Sequence, residues 1–139
     1  MISCTRRIEF DSAHRILNHE SKCKMLHGHR YALEATFVAN ELDNIGRVID
    51  FGVIKDVLGK WIDDNLDHNT ILSVNDNDLG EKISEITSQK IYYMPNNPTA
   101  ENIANHILKD ICPTIFKNSD VKCVAIKLYE TPNCYSNVS

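Results

Sequence analysis

The chain is 139 residues long, 42% apolar and 24% charged, with a formal net charge of −4. That length and balance fit one globular domain with a proper core, and the negative charge argues against a general nucleic-acid or anionic-membrane surface. No apolar run approaches a membrane span, MISCTRRIEF has no signal-peptide core, and five cysteines without paired spacing do not read as a disulfide framework, so the cytoplasm is the expected compartment.

Residues 2 to about 14 predict a strand, with Ile8, Phe10, Ser12 and His14 on one face and Arg7, Glu9, Asp11 and Ala13 on the other. Ile16 to Met25 reads as a polar loop carrying His19, Glu20 and Cys23. A second strand, from about His27 to Ala39, sets Tyr31, Leu33, Ala35 and Phe37 on the face of His27 and His29. Antiparallel pairing of the two strands would bring His14 to those histidines. Asn40 to Gly46 is a turn, and Asp50 is placed to cap a helix whose stripe is Phe51, Ile54, Val57, Leu58, Trp61 and Ile62. It should end near Asn65 or Leu66 and deliver Asp67-His68-Asn69 to a loop.

Residues 73–90 are polar, with a short amphipathic segment at best, and read as a variable connection of limited functional content. Thr99 caps a second helix with the stripe Ile103, Ala104, Ile107, Leu108 and Ile111, stopped by Pro113. A strand from Val121 to about Thr131 carries Val124, Ile126, Leu128 and Glu130 on one face, and Cys134 to Val138 forms a short last strand. The order ββααββ predicts an α+β domain over residues 1–139, an antiparallel four-stranded sheet with two helices packed on one face. The other sheet face stays partly uncovered, so several subunits are expected to close their sheets around a common centre.

Cys23-Lys24-Met25-Leu26-His27-Gly28-His29 concentrates ligand and nucleophile chemistry. His27 and His29 share a strand face, and with His14 they offer three neutral nitrogens, a set that suits zinc with an open fourth position. HGH alone is weak, because such tripeptides arise by chance. Cys23 fits a fourth ligand or a reactive thiol beside a metal. Asp67-His68 invites an acid–base reading, but from spacing alone a turn residue beside a solvated histidine is the better account. Thr99 and Glu101 read as a helix start, with the acid favoured by the helix dipole. Glu130 ends an apolar strand face and needs a partner, which a pair of ligand N–H groups would supply. Cys4, Cys112, Cys123 and Cys134 read as packing residues.

F-x-x-A-H-R around His14, C-x3-H-G-H, V-I-D-F-G-x-I-K, L-D-H-N, P-T-A-E-N-I-A and L-Y-E-T-P occur in one order. Together they resemble the 6-pyruvoyltetrahydropterin synthase / 6-carboxytetrahydropterin synthase family across nearly the whole chain. The resemblance implies the T-fold, in which subunits assemble their sheets into a barrel, commonly a homohexamer of two trimers with active sites near subunit interfaces. It implies His14, His27 and His29 as zinc ligands, Cys23 as catalytic thiol, Asp67 and His68 as its proton relay, and Glu130 as pterin anchor, with Thr99 and Glu101 along the pocket. The implied substrate is 7,8-dihydroneopterin triphosphate. The C-x3-H-G-H spacing resembles the carboxy-forming enzymes of queuosine synthesis, which release acetaldehyde; pyruvoyl-forming relatives usually have a longer gap. A non-catalytic pterin-binding module is the remaining alternative. The long 73–90 connection and the closing TPNCYS depart from the family pattern.

Overall fold

Alternation along two thirteen-residue stretches builds the hairpin that carries the rest of the molecule. In the computed structural model, which describes residues 1–139, β1 (Ile2–His14) and β2 (His27–Ala39) pair antiparallel from Ile2 opposite Ala39 to His14 opposite His27. Phe10, Tyr31, Leu33, Ala35 and Phe37 turn to one face and are buried. β5 (Lys122–Thr131) pairs antiparallel with β2 and adds Ile126 and Leu128 to the same face, and β6 (Cys134–Val138) pairs antiparallel with β5.

Two helices cover that face. α1 spans residues 51–65, and the Asp50 carboxylate accepts the Gly52 N–H at 2.7 Å to cap its start. Ile54, Leu58 and Ile62, four residues apart, form its buried stripe, whereas Phe51 lies outside the stripe and is half exposed. α3 spans residues 100–115 and buries Ile103, Ala104, Ile107, Leu108 and Cys112 in the same core. Pro113 does not stop it. The helix widens to a π-type turn over Ile107–Ile111, which makes room for a residue with no N–H to donate.

The sheet is larger and less uniform than a four-stranded antiparallel one. Its six strands run in the order β4-β3-β1-β2-β5-β6, with β3 (Asn69–Ser73) parallel to β1 and β4 (Ile91–Met94) parallel to β3. Between β3 and β4 runs α2 (Asn77–Thr87), so the ββααββ reading fails over residues 69–94. Strands of five and four residues are too short to declare a period of two. A parallel pair also demands a crossover, and the polar segment 73–90 supplies its helix. Gly80 of α2 sits hard against the Tyr93 hydroxyl, so a Cβ there would push the partly exposed tyrosine ring aside.

Neither α1 nor α3 covers the opposite face of β1, β2 and β5. That face is polar: Thr5 and Thr36 share a hydrogen bond of 2.8 Å, Arg7 and Lys127 flank Glu34 at 3.2 and 3.9 Å, and Arg30 holds Asp11 at 3.0 Å. One ion pair reaches into the interior. Asp76, 4% exposed, takes both ends of the Arg15 guanidinium on its two oxygens. The pair ties the residue after His14 to the crossover. Asp76→Asn is expected to destabilise the fold by about 3 kcal/mol, at the low end for breaking a buried pair because Arg15 is partly solvated. Urea unfolding measures this; an unchanged midpoint would show the pair to be dispensable.

Candidate active site

The β1–β2 register sets His14 opposite His27 and Ser12 opposite His29, so three imidazoles meet at the end of the hairpin. A Cβ at Gly28 would lie 3.3 Å from the Ser12 carbonyl oxygen, and the missing side chain keeps the two backbones close there. The tautomers follow from hydrogen bonding. His14 Nδ1 lies 2.7 Å from the Pro98 carbonyl and His27 Nδ1 lies 2.7 Å from the Met25 carbonyl. A carbonyl only accepts, so each Nδ1 carries the hydrogen and each Nε2 bears a lone pair in the neutral ring. Those two Nε2 atoms face one another at 3.1 Å. In the neutral rings neither has a proton to give, so the contact is left without a hydrogen and is open to a bridging cation.

His29 Nε2 is buried without any hydrogen-bond partner, and the three ligating nitrogens lie within 4.8 Å of one another. Burial pulls the His14 imidazole down to about 4 against the Pro98 carbonyl, and its two neighbouring histidines push the same way. Burial also lowers His29, against the pull of Glu130. Three convergent imidazole nitrogens, two of them on rings oriented by backbone carbonyls, are a donor set that could hold a metal ion. Tyr31, whose buried hydroxyl has no partner, lies edge-on to His14 and His29 beneath them.

A cavity of ≈ 240 Å³ beside the triad is lined by His14, Cys23, Thr99, Glu101, Glu130 and Cys134, among others. Its Glu130 carboxylate stands 4.0 Å from His14 Nε2 and 3.9 Å from His29 Nε2. Cys23 sits in a single tight turn, Lys22–Lys24, and its carbonyl accepts the Ile16 N–H at 2.8 Å, which closes the loop over the cavity. Asn97 grips the same loop, accepting from the Leu17 N–H at 3.1 Å and donating to the Leu17 carbonyl at 2.9 Å. Thr99 caps α3 by accepting the Asn102 N–H at 3.1 Å. Cys134 is exposed on the cavity wall and is not a packing residue. The carbonyls of Pro98 and Met25, and the Asn97 clamp, had no signal in the sequence beyond a Pro-Asn-Asn-Pro turn.

Asp67 and His68 are elsewhere. His68 lines a separate, shallow concavity of ≈ 430 Å³ with Asp11, Ser12, Ala13, Gly28, His29, Asn69 and Gln89, which touches the histidine triad only through His29. Asp67 and His68 nevertheless form a defined pair, with His68 Nδ1 donating to Asp67 Oδ2 at 2.8 Å while the Asp11 N–H donates to Asp67 Oδ1 at 2.9 Å. Burial pushes the Asp67 carboxyl up, but the Asp11 N–H and His68 outweigh it and hold it below the usual range. The hydrogen bond it donates to Asp67 raises His68, whose side chain is 78% exposed with Nε2 free. Cys23 and this pair therefore do not share a cavity within one chain.

The 6-pyruvoyl tetrahydropterin synthase family model matches residues 3–139. The chain is 56% identical to a protein of Rickettsia conorii named 6-carboxy-5,6,7,8-tetrahydropterin synthase, covering 99% of this chain and 100% of that one. A Haemophilus influenzae protein of the same name is 29% identical over 97% and 96% of the two chains. Among solved structures, an uncharacterised protein of Wolinella succinogenes superposes with a TM-score of 0.81 at 20% identity, over 99% of this chain and 97% of that one. The 6-pyruvoyltetrahydropterin synthase of Plasmodium vivax does so at 0.68 and 20% identity, over 99% and 98%, and both likenesses bear on the fold. The chain belongs to the 6-pyruvoyl tetrahydropterin synthase family of enzymes.

Proposed function

We propose that this chain is a zinc-dependent lyase converting 7,8-dihydroneopterin triphosphate to 6-carboxy-5,6,7,8-tetrahydropterin, with release of acetaldehyde and triphosphate, for queuosine and other 7-deazaguanine synthesis. The observation that carries it is the bare three-nitrogen donor set of His14, His27 and His29 beside a cavity that His14 shares with the Cys23 thiol and the Glu130 carboxylate. Relatives at 53–56% identity bearing the carboxy-forming name, and the C-x3-H-G-H spacing, favour this product over the pyruvoyl one. The whole chain works as one T-fold domain. The five free thiols fit a cytoplasmic enzyme.

His14, His27 and His29 would hold Zn²⁺, which when bound supplies a Lewis acid for the substrate's side-chain hydroxyls and acidifies the adjacent carbon-bound hydrogen. Glu130 accepts two N–H groups of the amino-pyrimidine edge, a bidentate contact that fixes the ring and satisfies a carboxylate in a partly buried site. Thr99 and Glu101 line the same wall and restrict how the ring can lie. Cys23 exchanges the proton at the substrate side chain. Asp67 keeps the His68 hydrogen on Nδ1, leaving Nε2 to take or return that proton.

His68 lies on the opposite sheet face from the cavity, so its partner is the Cys23 of a neighbouring copy. The exposed imidazole and the uncovered polar face support an assembly that closes sheet against sheet, with a hexamer of two trimers as the proposed form. Each active site is then shared between subunits.

Incubated with dihydroneopterin triphosphate, the zinc-loaded protein should release acetaldehyde, read by a coupled alcohol dehydrogenase assay. A pyruvoyl pterin without acetaldehyde would establish the alternative product, and no turnover would leave a pterin-binding module. Cys23→Ala should lower kcat by roughly 10²- to 10⁴-fold while zinc content by elemental analysis stays unchanged. Loss of zinc in that variant would make Cys23 a ligand. Because a carboxylate favours the imidazolium, Asp67→Asn should lower the His68 pKa relative to the unsubstituted protein, as followed by histidine ring NMR titration. An unmoved titration would dissolve the pair.

A further inference from the structure

Gln89 lies in the short stretch between α2 and β4, where the sequence carries no motif, yet its side chain is tied into the Asp67–His68 turn. Its Nε2 donates to the His68 carbonyl at 2.8 Å, and its Oε1 accepts from the hydroxyl of Thr70, a residue 2% exposed. The amide orientation is fixed, because a backbone carbonyl accepts and so must face the NH₂ end. From the other side, the His68 N–H donates to the Asp11 carbonyl at 2.7 Å. Both backbone groups of His68 are thus held by residues distant in sequence, at a φ of 58°. That left-handed conformation is costly for a residue with a Cβ and persists where the surroundings impose it. Gln89, His68 and Asp11 line one concavity.

We propose that Gln89 is a positioning residue of the proton relay, holding the His68 carbonyl so that the left-handed turn keeps Nδ1 on Asp67 and presents Nε2 outward from the sheet. This rests on the reading of His68 as the group that exchanges a proton. Freed at its carbonyl, the turn can relax toward a right-handed or extended backbone, which swings Cβ and carries the ring off Asp67. Misplacing a catalytic group by about an ångström can lower a rate on the order of 100-fold. The 73–90 connection then has a function: it delivers this amide.

Two substitutions separate the roles of the amide. Gln89→Glu keeps an acceptor for the Thr70 hydroxyl and removes the donor to His68, whereas Gln89→Met removes both without adding charge. Each is made alone and with His68→Ala, and kcat, KM and melting temperature are measured on the zinc-loaded full-length enzyme. Each single variant should lose at least about tenfold in kcat with KM within about twofold. In the His68→Ala background neither should reduce the residual kcat further. Unchanged kcat in the Gln89 variants beside an impaired His68→Ala overturns the proposal and leaves the relay standing. A loss of equal size with and without His68 also overturns it, since the effect would not pass through His68. A fully active His68→Ala sinks the relay and the Gln89 role together. These comparisons are made with whichever variant melts within a few degrees of the unsubstituted protein, and with Gln89→Ala if neither does.

Discussion

Two imidazole lone pairs facing each other at 3.1 Å, with a third buried beside them, are the constraint on which this molecule turns. Left empty, the arrangement is unfavourable: aligned lone pairs repel, and a buried acceptor without a donor carries its full desolvation cost. Protonating one ring to bridge the gap is opposed by the burial that lowers His14 and His29. A divalent cation bound among the three nitrogens would relieve all of these at once. The protein accepts the cost because the rings are fixed from behind, by Pro98 and Met25 carbonyls that dictate which nitrogen faces inward.

Those carbonyls belong to segments that serve the cavity in other ways. Asn97, one residue before Pro98, clamps the backbone of Leu17 at both its N–H and its carbonyl, in the loop that carries Cys23. Thr99, one residue after, caps α3, and Asn102 returns from α3 to the Asn97 carbonyl at 2.9 Å. Three consecutive residues therefore fix a ligand tautomer, the thiol-bearing loop and a helix start. Any shift of this turn would be felt by the histidines and by Cys23 together, which makes ligand geometry and thiol placement one mechanical unit.

The strands of the hairpin, α1 and the meeting of His14, His27 and His29 were legible because each rests on a period or a cap that side chains declare, whereas the placing of Cys23, Thr99, Glu101 and Glu130 around one cavity was legible only through the family resemblance. The start of α3 was legible from Thr99, but its end was not, because the local rule for Pro113 ignores a widened turn. β3 and β4 were missed for a different reason. Their pairing is parallel and non-local, and a run such as Asn69–Ser73, nearly all buried, shows no alternation to read. Missing them hid the role of residues 73–90, and with it Gln89 and Asp76. Backbone carbonyls were illegible in principle, since every residue has one and only the fold decides which one faces an imidazole.

The split between Cys23 and Asp67–His68 follows from the same two-residue period that made the triad visible. Along β1, Ser12 and His14 turn to the helix side while Asp11 and Ala13 turn to the open face. The strand thus furnishes one of the three clustered imidazoles on one surface and, through the Asp11 N–H and carbonyl, the anchor for Asp67 and His68 on the other. A slip of one residue would exchange the two faces and destroy both sites, so register is fixed twice over. Two halves of one chemistry on opposite faces of a sheet cannot meet by bending a chain with a packed core. Under the relay proposed above they meet where another copy brings its own sheet alongside, and on that proposal assembly is a condition of catalysis.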